Sequence, residues 1–319
     1  FLRGYTTTYV VFERFQISVF RKFGLFQLLT LVKAMKTFTL ALASTVTFAT
    51  SNNNHRSVQV WVSTDNDSDF PGFLETLTSH KSDLSDVSAL GLFTIDEDGL
   101  IVVNETRAER AGQIKDLELG IWPMLGGSIE DLRRAMLQPN MIDAAVATAA
   151  EHGWNGYNLD FELNVNTTDG CFSNDTALYK SWLDNWSLAL QAAQPPMGLQ
   201  VDVGGCNDPF MIDFCGMTCD DYVNSSLDRL VTMNTYDNNN LTNFEKSLAL
   251  DVDALCGDEG CGDRYQAGIL LDHDKNSDSD PGPVMDMIKS AGVSKISLWV
   301  NMPPDQWWPA FGEFLNGDN

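Results

Sequence analysis

The chain has 319 residues, 44% of them hydrophobic and 20% charged, enough for one large domain or two ordinary ones with a core that needs no metal to hold it. This composition excludes collagen-like, low-complexity and wholly disordered classes. With 44 acidic against 20 basic residues the formal charge is −24, which repels phosphate backbones and anionic lipid and disfavours nucleic acid and membrane surfaces as partners.

Residues 1–34 carry scattered aromatics and bases with no helical or strand period. From Met35 the chain reads MKTFTLALASTVTFATS, a short apolar run with Lys33 and Lys36 beside it and small residues at its end. This is the pattern of a signal peptide cleaved after Ala49 or Ser51, and the run is too short to span a bilayer. The expectation is an upstream over-extension over 1–34, a signal peptide over 35–51 and one domain over 57–319; the alternative for the N-terminus is a disordered or membrane-associated arm. Cys171, Cys206, Cys215, Cys219, Cys256 and Cys261 all lie in the second half, an even number that suits disulfides in an oxidising compartment. Cys256 with Cys261, across a Gly-rich loop, is the favoured pair and the others stay open. A zinc reading is weaker, because Cys215 and Cys219 have neither a second close pair nor a helical His partner. N-x-S/T sequons begin at Asn66, Asn104, Asn166, Asn174, Asn185, Asn224 and Asn240, so a glycoprotein is expected if the chain is eukaryotic. The expected destination is extracellular, or a lysosome- or vacuole-like compartment.

After Arg56 short β-rich runs alternate with longer helical stretches. The strands fall at Val58–Val62, Val87–Thr94, Leu119–Leu125, Gly156–Phe161, Gly198–Val203, Leu230–Asn234, Ala267–Leu271 and Ile296–Val300, and the clearest helices at Ser128–Glu151, Ala177–Ala193, Asn243–Ala254 and Val284–Ala291. Pro139 should break the first of these helices. Eight βα units in about 260 residues predict an α/β fold, a single-domain (β/α)8 TIM barrel. An open doubly wound sheet would want a Gly-rich phosphate turn after an early strand, and none is present. Barrel active sites sit at the C-terminal ends of the strands, so the residues there are the candidates.

The fourth strand runs Asn155, Gly156, Tyr157, Asn158, Leu159, Asp160, Phe161, Glu162. Alternation puts Asn158, Asp160 and Glu162 on one face and Tyr157, Leu159 and Phe161 on the other. The apolar set should pack on the helices and the polar set should point into the barrel. Two carboxylates buried there are expensive unless hydrogen-bonded or partly neutralised, and acids this close do not both ionise easily, which supplies a proton donor near neutral pH. A structural polar network or a metal site is the other reading of the same spacing.

These residues resemble the acidic strand-four motif D-G-x-D-x-D-x-E of the glycoside hydrolase family 18 barrels, chitinases and their relatives, with Asn at its first and fourth positions. The segment Met233, Asn234, Thr235, Tyr236, Asp237 is similar to the family's M-x-Y-D with one residue inserted, Gly126-Gly127 ends the third strand, and Trp299 stands on the eighth where the family places a tryptophan under the reacting sugar. The resemblance implies a glycosidase that cleaves β-1,4-linked N-acetylglucosamine in chitin or chito-oligosaccharides, with no cofactor or metal and as a monomer. It implies Glu162 as general acid, Asp160 as the group that orients the substrate's N-acetyl and shares a proton with Glu162, and Tyr236 as a hydrogen-bond partner of the same acetamide. Asp237 would help to hold the sugar. The implied mechanism is substrate-assisted retention, in which the sugar's acetamide is the nucleophile. Asn158 replaces the inner Asp, as in the chitobiase-like branch, and Asn155 replaces the outer one, a position that belongs to the barrel's frame. Non-catalytic chitin-binding relatives lose the acid that Glu162 retains; an inactive, lectin-like carbohydrate-binding barrel is the rival reading.

Pyranose faces stack on aromatic rings, and Trp122, taken at the end of the third strand, and Trp299 are the expected platforms. Trp61, Trp154, Trp182 and Trp186 read as core or helix-packing residues, while Trp307 and Trp308 suit either a cleft rim or a seal under the last helix. Asp202 should point inward beside the site, between Val201 and Val203. The acidic run 272–280 has alternating oxygen ligands but lacks the Gly and Glu of a calcium loop and reads as a solvated loop. No histidine pair at ligand spacing and no nucleophile elbow is present.

Overall fold

Alternation at period two decides which side of each strand faces inward. In β1 (Ser57–Ser63) Val58, Val60 and Val62 are buried on the outside, under the helices, while Gln59 and Trp61 face inward. A computed structural model describes residues 56–64, 69–161, 175–206, 217–236, 240–256, 261–271, 280–299 and 303–317. The barrel occupies one compact unit, Asn54–Asn319. Residues 1–55, with the expected signal peptide, lie outside the described residues.

The strands β1, β2 (Asp86–Leu90), β5 (Gly120–Leu125), β6 (Gly156–Leu159), β7 (Gly198–Val203), β8 (Arg229–Thr232), β9 (Tyr265–Leu270) and β10 (Lys295–Trp299) close into a parallel barrel in chain order, β1 pairing with β10. Around it run α1 (Phe70–His80), α2 (Glu105–Lys115), α3 (Ile129–Leu137), α4 (Met141–His152), α5 (Asp175–Ala192), α6 (Cys219–Val223), α7 (Leu241–Leu255), α8 (Pro281–Ser290) and α9 (Trp307–Asn316). This is the expected (β/α)8 TIM barrel. The second expected strand, Val87–Thr94, is two elements: β2 stops at Leu90, and β3 (Phe93–Ile95) turns back against β4 (Ile101–Val103) as an antiparallel hairpin. Positive φ at Gly91 lets the chain turn between them. The helix expected over Ser128–Glu151 divides where predicted: Gln138, before Pro139, is extended, as a residue preceding proline prefers. Ser128 and Asp131 cap α3 reciprocally, each side chain accepting from the other's backbone N–H.

Apolar faces turned outward meet the helices. Tyr157, Leu159 and Phe161 are buried there with Trp154, Trp182 and Trp186. Trp307 and Trp308 are sealed under α9, Trp308 stacked on His80, so they form no cleft rim. Disulfides join Cys206 to Cys219 and, as favoured from spacing, Cys256 to Cys261.

Inside, the N-terminal end of the barrel is closed by a charged plug. Asp86 accepts from Ser57 Oγ at 2.9 Å, from Trp122 Nε1 at 3.1 Å and from Arg229 Nη1 at 2.9 Å, and the Arg229 guanidinium lies 4.2 Å from the centre of the Trp122 ring. Burial works to raise the Asp86 pKa, but the charge of Arg229 and these hydrogen bonds outweigh it and hold the carboxyl below its ordinary value. Asn155 belongs to the frame, as expected: its Oδ1 accepts from Ile121 N at 3.0 Å and ties β6 to β5.

Candidate active site

Asp160 follows β6 at the C-terminal mouth and Asn158 sits one pleat deeper. Asn158 is fully buried and its Nδ2 donates to Ser88 Oγ at 3.0 Å and to Asp202 Oδ2 at 2.8 Å. Asp160 is 9% exposed, and its backbone N donates to Leu125 O at 2.9 Å, fixing the strand exit against β5. Gly126 permits this closeness, since a Cβ there would lie 2.9 Å from Asp160 O. Alternation thus delivers Asn158, Asp160 and Asp202 to the interior, as predicted.

A second network runs beneath the first. Gln59 and Gln200 exchange side-chain hydrogen bonds at 3.2 and 2.9 Å, Gln59 Oε1 also accepts from Ser297 Oγ at 2.9 Å, and Ser297 Oγ accepts from Trp61 Nε1 at 2.8 Å. Gln200 Nε2 reaches Asp202 Oδ1 at 3.5 Å. Trp61 meets Trp299 edge to face, with ring centres 4.3 Å apart. The half-buried Trp299 is thereby held, through Trp61, Ser297, Gln59 and Gln200, in one continuous network with Asp202 and Asn158.

Tyr236 arrives from β8 by a 3-10 turn, Asn234–Tyr236. Its ring rests on the inward face of β9 at Gly268, where a Cβ would stand 2.9 Å from Tyr236 Cε1. Gly268 is the register partner of Ser297 on β10, two residues before Trp299. Asp160, Asp202, Tyr236 and Trp299 therefore share the C-terminal end of the barrel, where (β/α)8 sites are built.

Trp122 does not join them. It is the third residue of β5, not its end, and its indole turns toward the opposite mouth. Gly156 and Gly198 open the space it fills: a Cβ on either would lie within 2.8 Å of the indole. Glu162, Asp237 and the acidic run 272–279 lie outside the described residues.

Three contributors escaped the sequence reading: Ser88, which steadies Asn158, Gln59, the hub of the lower network, and Trp61, which faces the interior and not the helices. Strand alternation carries the signal for each, since Ser57, Gln59 and Trp61 share a face, as do Asp86 and Ser88. Among the described residues, no group of three His, Cys, Asp or Glu is placed to hold a metal ion, and no helix is long and apolar enough to cross a membrane.

The sequence matches no protein-family model and no curated protein. Its fold is similar to that of solved structures at low identity. Against the Bacillus cereus spore cortex-lytic enzyme SleL the TM-score is 0.63 at 12% identity, covering 81% of this chain and 74% of that one. Against a chitinase from Chromobacterium violaceum it is 0.60 at 13%, covering 82% and 99%. Against a mutant GH18 chitinase from Cycas revoluta, in complex with (GlcNAc)4, it is 0.59 at 11%, covering 82% and 100%. The chain thus has the barrel fold of these chitinase and SleL structures.

Proposed function

We propose that the chain hydrolyses β-1,4-linked N-acetylglucosamine in chitin or chito-oligosaccharides, by retention assisted by the substrate's own acetamide. The observation that carries this reading is the row Asn158 and Asp160, of which Asn158 donates to Asp202 and Ser88, at the barrel mouth where Trp299 also lies. The similarity in fold to chitinases, one of them solved with (GlcNAc)4, supports the substrate class.

In this reading Glu162, two residues after Asp160 in the sequence, protonates the leaving glycosidic oxygen. Asp160 orients the acetamide so that its oxygen attacks the anomeric carbon and takes up the charge that develops on the acetamide nitrogen. Asn158 leaves Asp160 without a carboxylate one pleat below it. Tyr236 hydrogen-bonds the acetamide, Asp237 holds the sugar, and Trp299 stacks beneath the reacting ring. Only a sugar with a 2-acetamido group can use this route. The same reading places the chain in an oxidising, extracellular setting, which the Cys206–Cys219 and Cys256–Cys261 disulfides support.

The test is turnover of a chromogenic N-acetylchitobioside by the exported chain. Glu162→Gln should remove nearly all activity while oligosaccharide binding persists. No turnover by the wild type alongside measurable chitin binding overturns the enzyme in favour of a carbohydrate-binding barrel.

A further inference from the structure

Asp251 is fully buried on α7, outside the barrel and away from the interior networks. Its Oδ1 accepts two hydrogen bonds, from Cys206 N at 3.1 Å and from Asn234 Nδ2 at 3.0 Å. Cys206 belongs to the loop leaving β7, two residues after Gly204, and Asn234 opens the turn leaving β8. The other oxygen faces Tyr265 OH at 3.4 Å, and Thr232 completes the shell. One carboxylate oxygen thus joins two successive strand exits.

The junction has no slack. A Cβ on Gly205 would lie 2.3 Å from Asn234 Cγ, so the β7 loop and the β8 turn are in direct contact. Residue by residue, the turn is then pinned on three sides: Asn234 to Asp251 on α7, Thr235 Oγ1 to Gly268 O at 2.6 Å on β9, and the Tyr236 ring against Gly268 on the interior side. A helix on the outside of the barrel therefore sets the backbone from which Tyr236 enters the mouth.

We infer that Asp251 is a positioning residue for Tyr236, tying the β7 and β8 exits together so that the Tyr236 ring is fixed over Gly268. The inference rests on the proposed role of Tyr236 only for its effect on rate, not for its effect on structure. Burial raises the Asp251 pKa to about 6 against the hydrogen bonds that it accepts, so the tie changes its charge in the mildly acidic range. The titratable group facing it is Tyr265, whose hydroxyl burial holds well above its ordinary value.

The test uses three variants of the full chain: Asn234→Ala, Asp251→Ala, and Asp251→Asn, whose Oδ1 still accepts from Cys206 N and Asn234 Nδ2 and so keeps the tie without a carboxylate. Chemical shifts of labelled tyrosine rings, with Tyr236 assigned by Tyr236→Phe, report the ring position without substrate. Chromogenic chitobioside kinetics report its consequence. Both alanine variants should shift the Tyr236 resonance and lower kcat by about 10–100-fold at similar KM, as misplacement of a group by an ångström does. Asp251→Asn should leave the resonance and kcat near their wild-type values. If Asp251→Ala fails to fold, Asn234→Ala and Asp251→Asn still decide. An unmoved Tyr236 resonance in Asn234→Ala, or one displaced in Asp251→Asn, overturns the inference. A resonance that moves in Asn234→Ala and stays in Asp251→Asn, in a protein that never turns over substrate, upholds it and overturns the enzymatic reading instead.

Discussion

Asn158 donates its side-chain amide to Asp202 across 2.8 Å inside the barrel. The amide offers Asp202 a donor, whereas a carboxylate at 158 would meet it at the same distance, and two acids so close do not both ionise. Asn158→Asp should therefore lose stability at neutral pH and regain it as pH falls, since its native pKa is raised above the unfolded value. Denaturant melts at pH 5 and 7.5 check this; equal losses at both would show that no proton is shared.

The plug at the other mouth should matter to folding alone. Arg229→Leu leaves Asp86 charged and buried without its cation, a loss of about 3–5 kcal/mol. Trp122→Phe removes the indole donor to Asp86 and should lower the melting temperature while KM for chito-oligosaccharides stays at the wild-type value. Trp299→Ala should do the reverse, raising KM with little change in melting. A rise in KM for Trp122→Phe would return that residue to the sugar site.

Gly268 is where the Tyr236 ring and β8 come closest to β9. A methyl group there would stand 2.2 Å from Thr232 O as well as 2.9 Å from the ring, so the strand pair or the ring must move. Gly268→Ala should lower both stability and kcat, measurable by thermal melts and chitobioside turnover. Wild-type kcat in a folded Gly268→Ala protein would show that the ring position is not critical.

Asp251 makes a prediction about pH that activity does not enter. Its native pKa of about 6 lies above the unfolded value near 3.8, so between those values the folded chain holds a proton that the unfolded chain releases. Stability from this group therefore falls as pH rises from about 4 to 6, by roughly 3 kcal/mol. Asp251→Asn keeps the shape without the titration. Its denaturation curve should lack that decline, and parallel pH dependence in the two proteins would refute the shift.

The barrel and its eight strands were legible because most strands carry an apolar outer face, Val58, Val60 and Val62 being typical, between recognisable helices. The hairpin of β3 and β4 was not, because Val87–Thr94 reads as one apolar run and only the left-handed backbone at Gly91 separates its halves. At the site, the alternation of Asn158 and Asp160 was plain, as was the inward aim of Asp202. The destination of Trp122 was hidden, since it depends on Gly156 and Gly198, residues far along the chain that leave room at the base. Trp61 is a buried residue, as expected, but its link to the site was hidden for a similar reason: its partners Ser297 and Trp299 lie on the last strand, and nothing local announces them.

The interior is stacked by chemistry as well as by height. Asp86 and Arg229 form an ionic base, Asp160 and Asp202 an acidic mouth, and between them lie Gln59, Ser88, Asn158, Gln200, Gln266 and Ser297, all neutral and all buried. Amides and hydroxyls that cannot titrate in the working range insulate one charged layer from the other. A change of ionisation at the mouth can thus occur without loosening the ion pair that closes the floor.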